Sequence, residues 1–180
     1  QVAGGSIIFS GKYAEEHLNE ILTNNQIERR ASESEILNSR TSSLGATSLY
    51  AGKLIIEDEA IVNTSSFSTV AGSNAAVLLN NASLNATSSN GITFSNGSTL
   101  QLSGYNTMAT ETLLLSDNAT LHFILSPQPN DVLLSLDGNL SLGDNVTIHF
   151  DNVGKPGDNS YQLISVSGSV SGWDTSNITI

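Results

Sequence analysis

From Leu54 onward one short unit keeps returning: a strand, a two-residue polar turn, a small residue, then a second strand. It reads Glu57-Asp58-Glu59-Ala60-Ile61-Val62, then Asn80-Asn81-Ala82-Ser83-Leu84, then Asn96-Gly97-Ser98-Thr99-Leu100. It returns as Asp117-Asn118-Ala119-Thr120-Leu121 and as Asp144-Asn145-Val146-Thr147-Ile148. The apolar residue that closes each unit falls at 62, 84, 100, 121 and 148, giving intervals of 22, 16, 21 and 27. A single unit has too few apolar residues to bury a face alone, so successive units must cover one another. Strands of adjacent coils then pair in parallel at about 4.8 Å, and Asn or Ser at equivalent turns hydrogen-bond along the stack. A β-sandwich also supplies short, regularly spaced strands, but it does not explain one turn motif recurring once per circuit. The expected fold is therefore all-β: a right-handed parallel β-helix over residues 51–180.

The first 50 residues differ. Eleven of the 23 charged side chains lie at or before Lys53. Ala14, Leu18, Ile21 and Leu22 recur at i, i+4, i+7 and i+8, one face of a helix. Asn24-Asn25 interrupts that pattern, and a second helical stretch is expected from about Gln26 to Asn38, with Arg29 and Glu33 one turn apart. Repeat stacks need covered ends, so residues 1–50 are expected to form a short helical N-terminal cap segment.

Composition narrows the function. Ser, Thr, Asn and Gly make up 77 of 180 residues, yet 38% of the chain is hydrophobic, enough for a real core. The net charge of −11 argues against nucleic acid and against anionic membrane surfaces. There is no cysteine, which excludes disulfides, thiolate zinc sites and a Cys nucleophile. No apolar run approaches the ~18 residues of a membrane span. The chain opens at Gln1 with no charged and apolar leader, and so reads as a mature or excised fragment.

The C-terminal stretch carries a resemblance. It runs Leu136-Asp137-Gly138-Asn139-Leu140-Ser141-Leu142-Gly143, Val146-Thr147-Ile148, then Gly157 to Gly172 with Tyr161-Gln162-Leu163-Ile164 and Gly168-Ser169-Val170-Ser171-Gly172. This resembles the closing unit of bacterial surface proteins with autotransporter-associated β-strand repeats. The upstream coils are similar to autotransporter passenger domains more generally, and the likeness covers about residues 54–180. The resemblance implies export to the surface of a Gram-negative cell or beyond it, and a part in adhesion, display or self-association. The implied partners are host or environmental glycans or glycoproteins. It implies no cofactor.

Candidate chemistry is sparse. Trp173-Asp174-Thr175-Ser176 echoes the Asp-Thr-Gly motif of aspartic peptidases, which need two carboxylates facing one water. Asp137, in Leu136-Asp137-Gly138, is the one plausible partner for Asp174. The alternative function is a surface hydrolase using carboxylates, an aspartic-type peptidase or a glycosidase acting on extracellular glycoprotein, and this pair gives its sharpest form. A glycosidase needs only two carboxylates about 5–10 Å apart, and nothing in the sequence singles out a pair. Lyase chemistry is disfavoured, because only Lys53 and Lys155 are basic beyond Arg40. Glu57-Asp58-Glu59 and the expected Asp-Asn turns at 117, 144, 151 and 158 offer oxygens to calcium, but no D-x-D-x-D loop or glycine-aspartate nonapeptide occurs. No G-x-S-x-G elbow is present. Eight Asn-x-Ser/Thr sequons are what chance gives in a chain this rich in Asn, Ser and Thr.

Two histidines stand in equivalent places, Leu121-His122-Phe123 and Ile148-His149-Phe150. Alternation puts the apolar residues on one face and the imidazoles on the other. Burying Leu, Ile and Phe contributes on the order of 1.5–3 kcal/mol each, so both histidines should point outward. The column is expected to continue upstream through Gln101 and Asn85. Two outward imidazoles could bind a metal if their coils are adjacent. With no carboxylate at the matching upstream positions, the column reads instead as a solvated polar ladder, and no metal ligand is assigned.

Overall fold

The computed structural model describes residues 41–125, 132–152 and 161–173, together with the backbone of strands Ser6–Ser10, Ile27–Arg29, Glu35–Leu37 and Ile178–Thr179. Among these residues every regular element is a strand, and every ladder is parallel. The chain is a β-solenoid of about five turns.

Each coil offers one rung to each of three ladders. The first holds Lys53–Glu57, Ala76–Asn80, Thr99–Ser103, Thr120–Leu125 and Val146–Asn152 in succession. The second contains Thr41–Ser43, Ile61–Thr64 and Ser83–Ala86, and the third contains Thr47–Leu49, Phe67–Thr69 and Ile92–Phe94. These two merge where the chain runs through both without a break, in Asn106–Leu115 and Leu134–Leu142. The ladders therefore already include strands upstream of residue 51.

Period-two patterning builds the core. In each rung the inward residues are apolar and buried: Leu54 and Ile56, Val77 and Leu79, Leu100 and Leu102, Leu121 and Phe123. Register stacks like on like, so Leu54, Val77, Leu100, Leu121 and Ile148 form one column, with coil spacings of 23, 23, 21 and 27 residues. A column of Phe67, Ile92, Leu113, Leu140 and Val170 faces it from the third ladder.

The 16-residue interval in the sequence pattern is thereby explained, because it is not a coil. The polar turn motif occupies two different corners of each circuit. At one corner Asp58 and Asn81 stack with Gly104, and the Asn81 N–H donates to the Ser103 carbonyl. At the other, Gly97, Asn118 and Asn145 stack, and the Asn118 N–H donates to the Asp144 carbonyl. Residues 84 and 100 thus close units at different corners. All six corner residues have positive φ, which Gly adopts freely and Asn or Asp tolerates better than other residues.

The expected stitching by Asn is present. Asn85 Nδ2 donates to Asn63 Oδ1 at 2.9 Å, and Ser83 and Thr107 hydroxyls meet at 2.6 Å. More often the Asn oxygen accepts a backbone N–H from the next coil: Tyr105 to Asn81 and Ala109 to Asn85 at 3.0 Å, and Ser169 to Asn139 at 2.9 Å. Backbone groups that a strand ladder leaves open at the corners are satisfied in this way.

The helical N-terminal cap is a correction. Ile27–Arg29 and Glu35–Leu37, inside the second expected helix, are strands, as is Ser6–Ser10. Ile27–Arg29 pairs with Thr47–Leu49, and Ser6–Ser10 pairs with Lys53–Glu57. The residues of the first helical stripe, Ala14 to Leu22, lie outside the described residues. The edge of a parallel stack presents a row of open N–H and C=O groups that a strand can pair and a helix cannot. Short helical periodicity is a weak local preference against that gain.

Candidate functional site

The outward face of the first ladder brings together two imidazoles and a carboxylate. His122 lies on Thr120–Leu125 and His149 on Val146–Asn152, paired directly across one coil spacing. Their neighbours are locked inward: Leu121 and Phe123 are buried, and the Phe123 and Phe150 rings stack with centroids 5.6 Å apart. Both imidazoles therefore face away from the core, as the alternation requires. Their ring centroids are 4.7 Å apart in an edge-on arrangement.

Asp151 completes the group. It stands two residues beyond His149, on the same face, and is paired with Ile124. Its Oδ2 lies 2.9 Å from His122 Nε2 and its Oδ1 lies 3.2 Å from His149 Nε2. One carboxylate thus bridges two successive coils through both imidazoles. The His122 side chain is 17% exposed, whereas His149 and Asp151 are each 57% exposed. The upstream column is Ile55, Leu78 and Gln101. Asn85 is not in it, because that residue stands in the second ladder on Asn63.

Asp151-Asn152 reads as a turn in the sequence but is strand in the structure. Turn-forming composition there gives way to cross-strand pairing with Ile124 and Leu125. The signal that finds Asp151 is alternation, since it sits at i+2 from an outward histidine.

The other sequence candidates fall elsewhere. Asp137 is exposed at the irregularity between the two halves of Leu134–Leu142. Its Oδ1 accepts the Ser167 hydroxyl proton at 2.8 Å, and that hydroxyl oxygen accepts the Gly138 N–H at 3.0 Å. These bonds tie one coil to the next. Asp174 lies outside the described residues, as does Asp158. Asp117 serves a corner, its Oδ1 accepting the Asp144 N–H at 2.9 Å. Asp58 and Glu59 occupy a positive-φ corner just after Lys53–Glu57, three coils upstream of His122.

A groove of about 470 Å³ opens near the last described coil. Its floor is apolar, with Phe123, Leu140 and Ile164, and Tyr161, Gln162 and Trp173 edge it. Trp173 is 52% exposed, among the most exposed large apolar side chains described.

No family model, no curated protein and no solved structure matches this chain. No helix among the described residues is long and apolar enough to cross a membrane.

Proposed function

We propose that the chain is a segment of a right-handed parallel β-helical rod of the autotransporter-passenger type, displayed at or beyond a Gram-negative cell surface, and that it works by adhesion to glycans or glycoproteins. The observation that carries the binding reading is the groove with Trp173 and Tyr161 at its edge. An aromatic ring presents an apolar face that suits the C–H face of a sugar, while the Gln162 amide beside it offers both a donor and an acceptor for hydroxyls. The stacked coils supply a rigid support beneath such a surface: the groove's strands Ile164–Val166 and Val170–Ser171 pair with Leu134–Leu142, which is itself paired on its other side and anchored by buried Leu134, Leu136, Leu140 and Leu142. A net charge of −11 favours neutral over sulfated or otherwise polyanionic glycans.

The test is saturable binding on a panel of neutral and acidic glycans and matrix glycoproteins. The expected result is retention on neutral glycans, lost in Trp173→Ala without change in far-ultraviolet circular dichroism. Two results overturn the reading: no saturable binding to any member, or turnover of a peptide or glycan that Asp174→Asn or Asp137→Asn abolishes. The second would establish the hydrolase instead.

A further inference from the structure

We propose that His122, His149 and Asp151 form a binding site for one divalent transition-metal ion of the zinc class, which staples two successive coils on the outward face of the first ladder. The ligand atoms of the three side chains all lie within 4.8 Å of one another. Both Nε2 atoms already converge on the same carboxylate, at 2.9 and 3.2 Å. Around a tetrahedral zinc ion with metal–nitrogen distances of about 2.0–2.1 Å, ligand atoms stand roughly 3.3–3.5 Å apart. The two imidazole–carboxylate distances therefore need to open by only a few tenths of an ångström, while the imidazole nitrogens, within 4.8 Å of each other, settle at the same spacing. The freedom for that adjustment lies in Asp151 and His149, both well exposed, while His122 is held more tightly by its surroundings.

The scaffold keeps the cost of assembly low. All three ligands stand on paired strands rather than on loops, and Leu121, Phe123 and Ile148 anchor those strands in the core. A site built on such elements loses little side-chain and backbone freedom when it binds. The donor set selects the class of ion. Two imidazole nitrogens with one carboxylate suit zinc, copper, nickel or cobalt, whereas calcium and magnesium prefer six or more oxygens. Three protein ligands leave the outward position to solvent, the pattern of an open site rather than a closed structural one. The ion would thereby add a coordinate link between residues 27 positions apart in sequence, which otherwise share backbone pairing, a ring contact and their hydrogen bonds to the Asp151 carboxylate.

The experiment titrates the chelator-stripped protein with zinc chloride by calorimetry, and with cobalt chloride by visible absorption. One equivalent of zinc is expected per chain, and cobalt should develop visible bands that zinc abolishes. His149→Gln and Asp151→Asn should each weaken zinc binding at least tenfold, and the His122→Gln/His149→Gln double variant should remove it. His17→Gln, which alters the one other histidine, should bind as the parent does. Zinc should raise the melting temperature of the parent and leave that of the double variant unmoved, because an ion that binds only the folded state stabilises it. Circular dichroism of each metal-free variant should match the parent, since the substituted groups lie on the outward face of the ladder and none belongs to the apolar core. The proposal is overturned if the parent shows no saturable binding at micromolar zinc, which would leave a hydrogen-bonded triad only. Binding that survives unchanged in the double variant overturns it equally.

Discussion

Replacing Asn106 by Ala should cost about 3 kcal/mol, more than its size suggests. Asn106 is fully buried, at 0% exposure, at the corner that leads into Asn106–Leu115. Its Oδ1 accepts the Ala82 N–H at 3.1 Å from one coil away. Its Nδ2 donates to the carbonyls of Ser103 at 3.0 Å, Gly104 at 3.1 Å and Leu133 at 3.1 Å. One side chain thus joins three coils. Truncation would leave the Ala82 N–H buried without its acceptor, at about 1–3 kcal/mol for a stranded group. The acceptors suffer less, because Ser103 keeps the Asn81 N–H and Leu133 keeps the Asn106 N–H. The amide has two N–H groups shared among these three carbonyls, so losing its bonds adds roughly 0.5–1.5 kcal/mol for each N–H. Partial filling of the vacated space by water lowers the sum, which leaves a loss of about 3 kcal/mol. For a chain of this length that corresponds to a melting temperature roughly 6–12 °C lower. The assay is urea unfolding followed by circular dichroism, with Asn106→Leu alongside. Leu restores volume but not the acceptor, so it should be nearly as destabilised as Ala. If Asn106→Leu unfolds within about 1 kcal/mol of the parent, packing rather than hydrogen bonding holds this corner, and the reasoning fails.

Two further expectations concern the backbone. Gly138 has φ +145°, and a Cβ there would run into the Thr110 carbonyl oxygen of the preceding coil. Gly138→Ala should therefore lower stability by more than the ~1 kcal/mol typical of a left-handed glycine, read as a fall in the urea midpoint; an unchanged midpoint would mean that the coils shift freely. Asn118 has φ 57°. Asn118→Gly should be close to neutral and Asn118→Val should lose about 1–2 kcal/mol by the same assay, since a β-branched residue is strained in that conformation; equal stabilities would refute the strain argument.

The residues that face the core were legible before any coordinates, and so was the outward direction of His122 and His149. Alternation is local: Leu100 and Leu102, Leu121 and Phe123, and Ile148 declare their side through their immediate neighbours, and burial of apolar area enforces it. The stacking of coils was equally legible, because no unit carries enough apolar surface to stand alone. Which rung lies on which was not. Residues 84 and 100 close similar units but belong to different ladders, since the same Asn-rich turn solves the same positive-φ problem at two corners. Asn85, expected above the histidines, stacks on Asn63 in another ladder for that reason. Pairing across the 21 to 27 residues that separate successive rungs of the first ladder is set by how each circuit closes, a property of the whole coil. The N-terminal strands and Asp151 show the same limit. The helical stretch expected from Gln26 to Asn38 and a turn-like Asp-Asn pair are both local preferences, and both yield to strand pairing: Ile27–Arg29 with Thr47–Leu49, and Asp151-Asn152 with Ile124-Leu125. The carboxylate that turns two outward imidazoles into a candidate metal site is brought to them by that pairing, through hydrogen bonds that no stretch of sequence contains by itself.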